Sequence, residues 1–137
     1  MKHALSFLSL LLVMAAAPAA AQQPRSIAIG QPVPSQLDES DPALEGGSKY
    51  ETWSFQARAG QLLIISMGSD DFDTYAYLGE GTGGAFREIS NNDDSMESTD
   101  SSIEFRVPRD GTYLIRASAF EDGTGEYVIL VFDASDM

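Results

Sequence analysis

Beyond position 48, apolar and polar residues alternate with a period of two along most of the chain. Trp53, Phe55 and Ala57 fall on one side, and Thr52, Ser54 and Gln56 on the other. A half-buried β-strand produces this alternation, because successive side chains leave a pleated backbone on opposite faces. After the turn Ala59-Gly60, the stretch Gln61 to Met67 is mostly apolar and predicts a strand covered on both faces or nearly so. Phe72 to Leu78 alternates less cleanly and puts Tyr75 and Tyr77 on one side, and Ala85 to Ile89 predicts a short strand. Ile103, Phe105 and Val107 alternate with Glu104 and Arg106, and Tyr113, Ile115, Ala117 and Ala119 with Leu114, Arg116 and Ser118. Tyr127 to Phe132 is again almost wholly apolar. Seven or eight short strands parted by Gly, Asp and Asn turns predict an all-β fold, an antiparallel two-sheet β-sandwich.

The N-terminus follows a different pattern. Lys2 and His3 precede an apolar run from Ala4 to Ala17, followed by Pro18 and then Ala19-Ala20-Ala21 before Gln22. These are the three regions of a secretory signal peptide, predicted over residues 1–21 with cleavage after Ala21. The run is shorter than the roughly 20 residues a bilayer span needs. The chain has no Cys to accept a lipid anchor. The protein is therefore expected to be exported, periplasmic or secreted, with no membrane insertion after cleavage. Residues 22–47 read as an extended N-terminal segment in which only Ser26 to Gly30 alternates like a short strand. Gln36 to Gly47 reads as a solvated loop. Residues 48–137 are expected to form the sandwich domain.

Composition narrows the function. The chain carries 8 basic and 21 acidic residues, and loss of Lys2 with the leader takes the net charge from −13 to −14. Such a surface repels phosphate backbones, so nucleic acid is not an expected partner. The single histidine, His3, leaves with the leader, and there is no Cys. No Gly-x-Ser-x-Gly elbow appears, so serine and cysteine hydrolysis lose both nucleophile activation and base. Nearly every acid falls in a polar loop or at an outward strand position, where nothing would raise its pKa for acid–base work. The expectation is that the protein is not an enzyme. Gly79 to Gly84 and Glu121 to Glu126 read as hairpin loops between strands. Neither opens a helix that could cradle a phosphate.

The order of the strand and turn signals carries a resemblance. Tyr50 to Phe55, Ala59-Gly60-Gln61-Leu62, Ile64 to Met67 and Asp71-Phe72-Asp73-Thr74-Tyr75 are followed by Asn92-Asp93-Asp94 and Asp100 to Phe105. Val107-Pro108-Arg109-Asp110-Gly111-Thr112-Tyr113 and Gly125-Glu126-Tyr127 close the series. This run, over about Ser48 to Asp133, resembles the bacterial pre-peptidase C-terminal domain, a module found beside the catalytic domains of secreted proteases. The resemblance implies a jelly-roll-like sandwich and a non-catalytic role in attachment, stabilisation or secretion, with calcium uptake in related domains of collagenases. Here no peptidase domain accompanies it in the chain.

Two candidate sites follow. The acidic loop from Asn91 to Asp100 and the cluster Asp70, Asp71 and Asp73 offer hard oxygen ligands of the kind calcium takes. Asp73, Asp93 and Asp94 are the first candidate ligands, with Asp71 and Asn92 next. The competing reading is that Asn and Asp simply cap turns through their own backbone. Tyr75 and Tyr77 are the candidate ligand-facing aromatics, whereas Trp53, Tyr113 and Tyr127 are expected in the core. The expected partners are an extracellular or periplasmic protein or polysaccharide, or a separately encoded secreted hydrolase for which the chain acts as accessory, chaperone or inhibitor.

Overall fold

A computed structural model describes residues 23–81, 85–93 and 98–137, so the expected signal peptide at residues 1–21 lies outside the described residues. Nine strands are formed: β1 (Arg25–Ser26), β2 (Val33–Leu37), β3 (Tyr50–Ala57), β4 (Leu62–Gly68) and β5 (Thr74–Glu80), then β6 (Arg87–Asn92), β7 (Ser101–Arg106), β8 (Gly111–Ala119) and β9 (Gly125–Asp133). They make a five-stranded sheet, β1-β3-β8-β5-β6, and a four-stranded sheet, β2-β9-β4-β7. Every pairing is antiparallel except that of the two-residue β1 with β3. The all-β, two-sheet sandwich expected from the alternation is what forms.

The alternation decides which face each sheet buries. Trp53 and Phe55 of β3, Leu63 and Ile65 of β4, Tyr113 and Ile115 of β8, and Tyr127 and Ile129 of β9 all point between the sheets and are almost wholly buried. Burying one such side chain stabilises by about 1.5–3 kcal/mol relative to leaving it in water. Tyr113 packs between Phe55, stacked at 5.9 Å, and Phe105, edge-on at 5.2 Å. Its hydroxyl donates to the Arg109 carbonyl at 2.7 Å, so the polar tip is satisfied.

Several local expectations are corrected. The segment before Tyr50 holds two strands where one was expected, and they join different sheets: β1 beside β3, β2 beside β9. Gln36 is therefore in a strand and Leu37 is fully buried, so the solvated loop begins later. Pro34 masks this strand in the sequence, but β2 is an edge strand, where a missing N–H can face away from the ladder. The strand expected at Ala85 to Ile89 lies at Arg87–Asn92. Of the stretch Gly79 to Gly84, Gly79 and Glu80 belong to β5, which pairs with β6, and residues 82–84 lie outside the described residues, whereas Glu121 to Glu126 leads from β8 in one sheet to β9 in the other and is not a hairpin. The apolar strands β4 and β9 are buried on one face only: Val128 and Phe132 are exposed on the other.

Candidate functional site

The outer face of the five-stranded sheet is built on β8, which lies between β3 and β5. Its outward residues Leu114, Arg116 and Ser118 alternate with the core residues Tyr113, Ile115 and Ala117. Tyr77 lies directly opposite Arg116, and Tyr75 opposite Ser118. Two residues apart on one strand, Tyr75 and Tyr77 share this face, and their rings stack at 4.4 Å with planes 8° apart. Phe120, just past β8 and exposed, also stacks on Tyr75, at 6.4 Å. The Tyr75 hydroxyl donates to Asn91 Oδ1 at 3.1 Å, and Asn91 Nδ2 donates to Glu88 at 3.2 Å. Burial pushes the Tyr77 hydroxyl up to about 12, with the neighbouring Tyr75 and Glu88 adding to the effect.

Gly79 shapes the next part of the face. The β5–β6 ladder shifts register there, and the glycine leaves room for the Phe86 ring: a Cβ would lie 2.6 Å from it. Phe86 thereby reaches the Arg116 guanidinium, whose central carbon lies 4.2 Å from the Phe86 ring centre and 4.8 Å from that of Tyr50. Arg116 is half-buried and makes no ion pair with any described residue. Its Nε is buried without an acceptor.

A second arginine–aromatic cluster holds the other side of this sheet to its neighbour. Glu51, on the core face of β3, is buried and accepts from the Tyr127 hydroxyl at 2.7 Å, from Ser35 at 2.7 Å and from Arg25 at 3.3 Å. Trp53 Nε1 donates to the Tyr127 oxygen at 2.9 Å, and Arg25 lies 4.3 Å over the Trp53 ring. Burial, then the bond it donates to Glu51, holds the Tyr127 hydroxyl far above its usual range. This cluster ties β1 and β2 to β3 and β9. It also corrects the expectation that the acids lie in loops or outward: period two from Trp53 places Glu51 inward, and that signal was legible.

Among the described residues no three carboxylates form a group able to hold a metal, and Asp94 lies outside them. Asp71 Oδ2 accepts from the Glu126 amide at 2.8 Å, and Asn92 Oδ1 from the Ser102 amide at 3.3 Å. The Asp73 carbonyl accepts from the Phe120 amide, and the Asp93 carbonyl from the Ser101 hydroxyl. A groove of about 800 Å³ lined by Arg25, Ser35, Asp71, Asp100 and Tyr127 opens near β2 and β9. Two of its carboxylates are engaged with backbone amides, Asp71 as above and Asp100 with Ser69 at 3.3 Å, so they shape loops. The face around Tyr75 and Tyr77 is the better site, although no deep cavity marks it.

The described strands thus form a two-sheet sandwich whose five-stranded sheet carries aromatic rings on its outer face. Residues 49–119 match the model of the bacterial pre-peptidase C-terminal domain, and the chain belongs to that family. The family consists of non-catalytic modules of peptidases, and no catalytic family is indicated. Among solved structures, the chain is similar to the pre-peptidase C-terminal domain of a collagenase from Bacillus anthracis, with a TM-score of 0.61 and 12% identity over 80% of this chain and 94% of that one. It is more distantly similar to the periplasmic inhibitor of g-type lysozyme PliG from Aeromonas hydrophila, at a TM-score of 0.45 and 16% identity over 80% of this chain and 99% of that one. The PliG of Salmonella Typhimurium gives 0.44 and 16% over the same shares. No curated protein sequence matches the chain.

Proposed function

We propose that this protein is an exported, non-catalytic binding module that engages its ligand through the outer face of the five-stranded sheet. The observation that carries the reading is the stack of Tyr77, Tyr75 and Phe120 on the outer face of the five-stranded sheet, where Phe120 is exposed and the two tyrosines are half-buried. Half-buried and exposed aromatics gathered on one face are what interfaces are enriched in, whereas scattered surface apolar residues need no explanation. Export is supported by the leader-like residues 1–21, and the family's non-catalytic character by residues 49–119. The ligand is an extracellular or periplasmic protein or polysaccharide.

The test compares the native protein with Tyr75→Ala/Tyr77→Ala. Retention on insoluble polysaccharide and capture of exported proteins are measured for both, with thermal melting to show that both are folded. Selective loss of one retained ligand in the double variant is the expected result. Identical retention profiles from two folded proteins would overturn the reading.

A further inference from the structure

We propose that Arg116 anchors the ligand on this face, and that it takes a carboxylate presented by a protein partner. The inference rests on the outer-face reading above and adds its chemistry. The other arginines of the described chain are accounted for. Arg25 pairs with Glu51, Arg87 and Arg109 both pair with Glu80, and Arg58 and Arg106 are exposed to water. Among the described arginines Arg116 alone is half-buried without an ion pair, and it alone has a buried donor without an acceptor, in a chain where acids outnumber bases by 21 to 8.

Tyr50 and Phe86 fix the guanidinium from the sides, and a buried donor left unmade is costly to the fold. A guanidinium is planar, always charged and forked; with Nε buried, its two terminal nitrogens are left to hold a carboxylate by two parallel hydrogen bonds. Pre-set by the two rings, the side chain loses little freedom on binding.

The neighbouring rings indicate where that carboxylate comes from. A sugar ring packs on the open face of an aromatic, but Tyr75 has Tyr77 stacked on it at 4.4 Å and Phe120 at 6.4 Å. Tyr75 therefore offers its edge and hydroxyl, and the exposed Phe120 an apolar flank, which suits protein side chains. A uronate polymer would also bring a dense row of anions to a chain of net charge −13. An isolated Asp or Glu set in apolar surface fits both constraints.

The test uses the full chain and follows the Arg116 Nε–H resonance by NMR, assigned by its loss in Arg116→Lys. Probes are two capped peptides differing only in Glu against Gln, flanked by Leu and Tyr, and a galacturonate oligomer. The expected result is a saturable shift with the Glu peptide, at least about tenfold weaker binding of the Gln peptide, and loss of that preference in Arg116→Lys and Arg116→Gln. Unchanged melting shows that the variants fold. No saturable shift with the Glu peptide, equal affinity for both peptides, or tighter binding of the galacturonate oligomer would overturn the inference. If Tyr75→Ala/Tyr77→Ala loses its retained ligand while Arg116 stays silent, the carboxylate claim falls and the face reading stands. If neither responds, both fall.

Discussion

Arg25 lies 4.3 Å over Trp53, and Arg116 lies 4.2 Å from Phe86, so two arginines of one sheet are both held against aromatic rings. Their surroundings diverge from there. Arg25 reaches Glu51, which Ser35 and Tyr127 also serve, and the group closes the sandwich where β1 and β2 join it. Arg116 has rings on its flanks and no acid to meet among the described residues. Aromatic packing alone therefore does not say what an arginine is for. The acceptor says it: where the chain supplies one, the cluster is part of the fold, and where it does not, the acceptor is left to a ligand.

The largest break in this comparison comes from Glu51→Ala. It leaves the buried Tyr127 hydroxyl without its acceptor and takes a shared partner from Ser35 and the exposed Arg25, at an expected cost of about 2–4 kcal/mol. Denaturant unfolding followed by the fluorescence of Trp53, the single tryptophan, measures it. Gly79→Ala comes next, since its Cβ would meet Phe86 at 2.6 Å and the Arg87 carbonyl at 2.7 Å. The expected loss is about 1–3 kcal/mol, with faster hydrogen exchange at Arg116 Nε as Phe86 is displaced. Arg116→Gln is expected to change stability by less than about 1 kcal/mol, because it gives up ring contacts and no hydrogen bond at Nε. A loss as large as that of Glu51→Ala would erase the distinction between the two clusters.

The smallest effect is alkaline. Tyr77 titrates at about 12 in the folded chain against 10.0 for an ordinary tyrosine, so the folded state keeps its proton longer. The contribution is present in full below pH 10 and is lost as pH rises towards 12. Tyr77→Phe is expected to flatten that part of the stability–pH curve, read by chemical unfolding at stepped pH.

The sandwich was legible because alternation survives wherever one strand face is buried, as in Trp53-Phe55-Ala57 and Tyr113-Ile115-Ala117. β2 was not legible, because Pro34 and Gln36 break the apolar pattern on an edge strand that buries little beyond Leu37. Tyr75 and Tyr77 could be placed on one face from their spacing alone. The rest of that face could not: Arg116 meets Tyr50 and Phe86 only through the β3–β8–β5 order and the register shift at Gly79, and neither is written in local sequence. The acidic loops are not decided by sequence, since carboxylates that cap backbone amides and carboxylates that hold an ion share one composition.

The pairing of β2 with β9 has a consequence for the order of events in folding. In the four-stranded sheet β2 has no partner but β9, whereas β4 can pair with β7 beforehand. Glu51 likewise waits for Tyr127 before its buried bonds can close. Contacts this distant along the chain make folding slow, since loop closure precedes any reward from burial. For a protein that we propose is exported, such delay is useful: β2 stays unpaired, and that part of the chain threadable, until β9 has been delivered.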